Sequence, residues 1–223
     1  YLDIHRYVRG IRKQEDLNTW ETGHLAEIYI SYSSQYDVII DSIRQIAKEM
    51  KLQDIRLAVT EWGQYLTLFS KGLPHDFSHA NAVFYAGMMN CFIRNGDFVK
   101  ISCSHDFSVF ANNQVLWDVP VLPRSQIAKL YAEVRADRLL RTKVICDTFN
   151  LNRKITQMME LDGIQYLDVV ALAKEDKSQI VLFIVNRSMK TDYTIQVDLE
   201  GMPDGLTMEK LLFSANEDPM AAQ

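Results

Sequence analysis

The stretch "IRLAVTEWGQYL", Ile55 to Leu66, decides how the first half of the chain is read. Ile55 to Thr60 is an apolar, β-branched run of the kind that forms a strand buried on both faces. It stops at a carboxylate, Glu61, followed at once by a large aromatic, Trp62. An unpartnered buried carboxylate costs several kcal/mol or changes its protonation, so Glu61 needs a partner, either a structural cation or a bound molecule.

Outward from this strand the segments alternate. Tyr1 to Val8 reads as a short strand, and Tyr36 to Met50 as a helix with Ile39, Ile43, Ile46, Ala47 and Met50 on one side and Ser34 and Asp37 as a capping box. Ser78 to Arg94 is an apolar helix that must be covered on more than one side. Asp97 to Cys103 is the third strand, and Pro123 opens an amphipathic helix through Ile127, Leu130, Tyr131 and Val134. Three β-then-α units imply a parallel sheet with right-handed crossovers, an open doubly wound sheet or part of a (β/α)8 barrel. No glycine-rich phosphate loop follows any of these strands, which weighs against a dinucleotide-binding fold.

From about Leu151 the pattern changes to short strand candidates, "IQYLDVVALA", "QIVLFIVNRS", "DYTIQVDLEGM" and "LTMEKLLFSA", separated by turn-like "KEDKS", "SMKTD" and "GMPDG". Tyr193, Ile195, Val197 and Leu199 alternate with period two, as an antiparallel segment with one covered face does. This gives a division into residues 1–150, α/β, and 151–223, a β-sandwich segment whose remaining strands come from sequence outside the chain. The chain opens at Tyr1 without a methionine and reads as a piece of something longer.

Composition narrows the partners. Hydrophobic residues make up 48% and charged residues 24% of the 223 residues, as in ordinary globular domains. A net charge of −5 with interspersed signs argues against a nucleic-acid surface, which needs a clustered basic footprint. No apolar run has the length of a membrane-spanning helix. Cys91, Cys103 and Cys146 form neither a CxxC pair nor a disulfide framework and read as buried thiols. No metal or other cofactor is called for, and the compartment is left open.

In parallel α/β folds the working residues collect at the C-terminal ends of the strands. The first tip offers His5, Arg6 and Tyr7, the second Glu61 and Trp62, the third Cys103, Ser104, His105 and Asp106. A carboxylate beside an aromatic, with a Tyr and a His on the neighbouring tip, suits sugar chemistry: aromatic faces stack on sugar C–H surfaces, and a Tyr hydroxyl can aim a carboxylate. The competing reading makes Glu61 a structural ion-pair partner of Arg6 or Lys100. Other candidates read as structural. His75 and His79, four apart, lack a third metal ligand at sensible spacing and suit capping or loop roles. His105 and Asp106 suit an exposed loop, the "ANNQ" of Ala111 to Gln114 and Trp117 suit loop filler, and Met88 and Met89 suit a helix core.

"LDIHRYV", "IRLAVTEWGQYL", "ANAVFYAGMMNCFIRNGDFVKIS" and "VLFIVNRS", in that order, resemble the C-terminal half of family 51 α-L-arabinofuranosidases. The resemblance implies the sixth to eighth strands of a (β/α)8 barrel followed by a β-sandwich, and a retaining glycoside hydrolase acting on arabinose-containing oligo- or polysaccharides. It makes Glu61 the catalytic nucleophile, with His5, Tyr7 and Trp62 around the sugar. Retaining glycosidases use two carboxyl groups about 5–5.5 Å apart. The second belongs, in this family, to an Asn-Glu pair upstream of Tyr1. Asn216-Glu217 is the one such pair here and reads as a surface turn. The chain alone is therefore expected to be inactive. Where the family commonly has "DEW" this chain has Thr60-Glu61-Trp62, and "SHDFSVF" replaces an "AQLVN" segment, which opens the identity of the sugar. The alternatives are a related barrel glycosidase of other specificity and a non-catalytic carbohydrate-binding or scaffold protein. A truncated barrel also exposes apolar edges, so homo-oligomerisation is expected.

Overall fold

The computed structural model describes residues 1–8, 22–64, 79–104, 110–111, 114–115, 123–152, 159–201, 205 and 207–214. Strands β1 (Leu2–Val8), β2 (Leu57–Gln64) and β3 (Val99–Ser104) form a parallel sheet in the order β1-β2-β3. Helix α1 (Thr22–Glu49) connects β1 to β2, and α2 (His79–Arg94) connects β2 to β3. The expected β-then-α succession is present, and among the described residues the sheet is open rather than closed into a barrel. After β3 come a small hairpin, β4 (Phe110–Ala111) with β5 (Gln114–Val115), and helix α3 (Pro123–Glu133).

Helix α1 begins well before the expected start at Tyr36, so Ser34 and Asp37 lie inside it and do not form a capping box. Their polar groups instead face other elements. Ser34 Oγ accepts a hydrogen bond from Arg187 at 3.2 Å, and Asp37 pairs with Arg94 at 2.8 Å. The helix ends with Lys51 at φ 57°, the Leu52 N–H bonded to Ala47 O at 2.8 Å and the Lys51 N–H to Lys48 O at 3.0 Å. That pair of bonds is a Schellman closure, here carried by a lysine in the left-handed region where glycine is usual.

As its sequence requires, α2 is covered on several sides, with buried residues from Ala80 to Phe92. Its Phe84, Tyr85, Met88 and Phe92 meet Tyr32, Tyr36 and Ile40 of α1 and Leu57, Val59 and Trp62 of β2 in one core. Gly87 allows the two helices to approach, since a Cβ there would stand 3.0 Å from Ser33 Oγ. The Tyr36 hydroxyl, its pKa pushed up by burial, donates to Arg6 O at 2.8 Å and ties α1 to β1.

A second, antiparallel sheet has the order β10-β9-β6, from β6 (Arg138–Leu140), β9 (Leu167–Ala173) and β10 (Ile180–Asn186). A two-stranded ladder pairs β7 (Thr148–Leu151) with β8 (Leu161–Gln165). The expected strands around "LDVVALA" and "IVLFIVN" are therefore present. The expected strands at 192–202 and 206–215 are not formed by their described residues: 192–199 and 207–214 carry no ladder. Alternation supplies an apolar face but not a hydrogen-bonding neighbour, and Ile195, Val197 and Leu199 remain 41 to 44% exposed. Of the cysteines, Cys91 is buried as expected, Cys146 is half-buried, and Cys103 is exposed because β3 is an edge strand among the described residues. No described helix is long and apolar enough to cross a membrane.

Candidate active site

The parallel order brings the C-terminal ends of β1 and β2 side by side, and one irregularity sets their chemistry. Along β1 the partners run Ile4 with Val59 and then His5 with Glu61, passing over Thr60. Along β3 they run Val59 with Ser102 and then Trp62 with Ser104, so β2 again carries one extra residue. Counted against both neighbours, β2 has a bulge at Thr60–Glu61, a device that re-aims side chains.

The re-aiming is visible in burial. Leu57 and Val59 are fully buried on the helix-facing side. Strict alternation would put Glu61 next on that side, in the apolar core. The bulge passes this place to Trp62, which is 1% exposed with its ring 5.0 Å from Tyr85 and 5.3 Å from Phe92. Glu61 turns to the other side and is 30% exposed.

There its Oε2 stands 2.8 Å from His5 Nδ1, an ion pair when the imidazole is protonated. The other ring nitrogen, Nε2, stands 3.6 Å from Asp3 Oδ2, and Thr60 Oγ1 donates to Asp3 Oδ1. Four side chains from two strands thus gather here, Thr60 hydrogen-bonded to Asp3 and His5 standing between the Asp3 and Glu61 carboxylates.

Of the residues singled out in the sequence, His5 and Glu61 are brought together. Tyr7, 6% exposed, lies two register positions beyond them opposite Gly63. Trp62 faces the helices, where its indole edge is packed rather than offered to solvent. Lys100, one of the two alternative structural partners beside Arg6, donates to Gly96 O at 2.6 Å. Ser104 of the third tip bonds the Tyr85 hydroxyl at 2.7 Å. His79 is the first residue of α2, stacked on Phe213 at 5.2 Å, and burial lowers its pKa. His75, His105, Asp106 and Trp117 lie outside the described residues. Among the described residues no group of three or more His, Cys, Asp or Glu is placed to hold a metal. Sequence reading passed over Asp3 and the contact of Thr60. The available signal was the spacing of Leu57, Val59 and Trp62, two and then three, which marks an extra residue in a strand, together with the shared face of Asp3 and His5.

A cleft of about 660 Å³ opens elsewhere, between α1, the end of α2 and the antiparallel strands, lined by Asp37, Arg94, Gln165, Asp168 and Arg187 among others. Four of its charged groups pair among themselves. Arg94 reaches Asp37 at 2.8 Å and Asp168 at 2.9 Å, and Arg187 bonds Asp168, Ser33 and Ser34. Burial opposes the Arg94 charge, but the Asp168 and Asp37 carboxylates outweigh it and hold its pKa above the usual arginine value.

No family model matches the sequence, and no curated protein matches it. Solved structures do. The fold is similar to that of an arabinofuranosidase at TM-score 0.63 and 13% identity, over 82% of this chain and 37% of that one. It is similar to the thermostable GH51 α-L-arabinofuranosidase from Thermotoga petrophila RKU-1 at TM-score 0.59 and 16% identity, over 72% of this chain and 35% of that one. A family 51 α-L-arabinofuranosidase from Bifidobacterium longum matches at TM-score 0.60 and 16% identity, over 92% of this chain and 42% of that one. The chain spans roughly two fifths of the length of these enzymes, and the likeness is one of fold.

Proposed function

We propose that the chain is the C-terminal part of a retaining α-L-arabinofuranosidase-like glycoside hydrolase, with β1 to β3 as the last three strands of a (β/α)8 barrel and the antiparallel strands from β6 onward, which begin before the expected boundary at 150, as a β-sandwich segment. The observation that carries this reading is the placement of Glu61. It stands in the C-terminal half of β2, turned out of the core by a bulge, 2.8 Å from His5 and still 30% exposed. A carboxylate kept reachable in this position suits attack on the anomeric carbon of a terminal arabinofuranosyl residue.

In the first step one Glu61 oxygen forms the bond to the anomeric carbon as the glycosidic bond breaks, while a second carboxylic acid, upstream of Tyr1, protonates the leaving oxygen. In the second step that group, now a carboxylate, deprotonates a water that releases the sugar from Glu61. His5 fixes Oε2 and so the direction of the attacking oxygen. Tyr7 borders the sugar on the β1 side, and Trp62 supports the strand from the core. The exposed alternation of Ile195, Val197 and Leu199 fits a sandwich face completed by other strands of the same protein.

The burial of Trp62 favours a second reading, a non-catalytic carbohydrate-binding or scaffold protein, since the indole next to Glu61 in the chain is then not offered to a sugar. Assay of an aryl α-L-arabinofuranoside separates the two. The 223-residue chain alone gives no turnover; the full-length polypeptide turns it over, and Glu61→Gln abolishes that activity and the covalent glycosyl adduct seen by mass spectrometry. Turnover by the chain alone, or full-length activity indifferent to Glu61→Gln, overturns the assignment.

A further inference from the structure

We propose that Tyr166 and Tyr193, backed by Phe149, form a second carbohydrate-binding site on the antiparallel half, away from the strands that carry Glu61. The three rings come from β7, from the residue that joins β8 to β9, and from the stretch after β10, and all are half-buried. Phe149, packed on one side against the core, has its ring centroid 4.7 Å from that of Tyr166 with the planes 32° apart. Tyr193 pairs with Tyr166 more loosely, at 6.4 Å and again 32°. The aromatics of the core meet differently: Tyr32 with Tyr36, Tyr36 with Phe92 and Phe84 with Tyr85 cross at 72° to 85°, edge against face. Crossed rings fill a core, whereas a short row of rings at similar tilt on the surface suits a ligand that lays C–H faces on them.

The polar groups around the row fit the same ligand. The hydroxyls of Tyr36, Tyr85 and Tyr131 are bonded within the protein, to Arg6 O, Ser104 and Asn90. Those of Tyr166 and Tyr193 have no hydrogen-bond partner among the described residues, so two donors stand beside the ring faces. Asp147 is exposed, and its carboxylate, second to burial, raises the Tyr193 pKa, which places an acceptor next to the phenol. An acidic neighbour suits a neutral sugar and opposes a phosphate or carboxylate ligand. The platform is also held in place. The Tyr166 N–H donates to Asp147 O at 3.1 Å and Tyr166 O accepts from the Arg187 N–H at 2.7 Å. The turn leading to Tyr193 is tied by Asn186 Nδ2 to Thr191 O at 2.8 Å and by the Thr191 N–H to Ser188 Oγ at 2.9 Å. Rings fixed beforehand lose little freedom when a sugar settles on them.

Fluorine NMR on the full-length polypeptide, labelled with fluorotyrosine and carrying Glu61→Gln so that the ligand is not consumed, tests the site. The probe is an arabino-oligosaccharide, a choice that rests on the function proposed above. Tyr166→Phe and Tyr193→Phe assign the two signals. On titration both signals shift together with one Kd, while those of the buried Tyr36 and Tyr85 stay still. Tyr193→Ala, in a stretch that carries no ladder, keeps the fold and weakens the Kd read at Tyr166 about three- to tenfold; Tyr193→Phe, which keeps the ring, loses less. Signals that do not move, or a Kd indifferent to Tyr193→Ala, overturn the inference, as does a proline-rich peptide that shifts them where the sugar does not. Absence of aryl arabinofuranoside turnover in the unsubstituted full-length protein removes the proposed hydrolase instead, and the ring signals still decide whether sugar binds here.

Discussion

Asp168→Asn should be one of the most damaging single-atom-scale changes to the stability of this chain, and the structure sets its size. The Asp168 side chain is 2% exposed and that of Arg187 is 4% exposed. Each lacks access to water that could replace the other. Arg94, by contrast, is 36% exposed and keeps Asp37 at 2.8 Å, so it can tolerate the loss of Asp168. The cost falls on Arg187, which would be left with neutral acceptors, Ser33, Ser34 and Gln165 O. Breaking a buried pair from one side costs about 3–5 kcal/mol, a large part of the roughly 5–15 kcal/mol that holds a domain together. For a chain of this size that is a fall in Tm of about 6–20 °C. Urea unfolding reads it as a lower midpoint at constant slope. Replacing both partners, Asp168→Leu with Arg187→Met, should recover most of the loss, because no buried charge is then stranded. Glu175→Gln is the control, since the Arg138–Glu175 pair is exposed at 61% and 72% and is expected to contribute at most about 1 kcal/mol. If Asp168→Asn costs no more than that control, the picture of a sealed ionic joint between the helices and the antiparallel sheet is wrong.

Two further outcomes follow from burial. Trp62→Ala should cost about 3–5 kcal/mol as a core truncation, while Trp62→Phe costs less and, if the proposed hydrolase function holds, leaves KM of the full-length protein within about twofold; a selective rise in KM would show that the indole touches the substrate after all. His79 sits at the start of α2 with its Nδ1 buried and unbonded, and burial depresses its pKa in the fold. The unfolded state then binds the proton more readily, so the stability from the neutral ring is complete above about pH 6.5 and is lost as pH falls toward the folded value. Urea midpoints measured against pH should show this decline in the wild type and a flatter curve in His79→Gln; equal slopes refute it.

The parallel half of the fold was legible because its strands and α2 are locally apolar and carry their own period. The start of α1 was not. Ser33, Ser34, Gln35 and Asp37 look like a helix beginning, yet they sit mid-helix with partners far away in sequence. Gln35, for example, exchanges two hydrogen bonds with the backbone of Met159, at 2.6 and 2.8 Å. Local reading treats a polar run as a cap because it cannot see an acceptor more than a hundred residues distant. The reverse error occurred at Tyr193 to Leu199, where a clean alternation met no neighbouring strand among the described residues. Short β6 and β7 escaped notice for a related reason: Arg138–Leu140 and Thr148–Leu151 are ordered by the strands they pair with and carry little pattern of their own.

At the candidate site the same contrast explains what was and was not readable. The meeting of His5 with Glu61 follows from strand order, since parallel neighbours bring their C-terminal ends together whatever the details of register. Which face Glu61 uses does not follow. The period that buries Leu57 and Val59 would carry Glu61 into the core and set Trp62 outside it, and an ionised carboxylate there would cost far more than a local break in the ladder. Inserting one residue exchanges the two: the indole takes the buried place and the carboxylate the reachable one. The bulge is therefore the least costly way for a strand with this sequence to bury its tryptophan. The exposed acid, the contact of Thr60 with Asp3 and the aim of His5 are all consequences of that single extra residue.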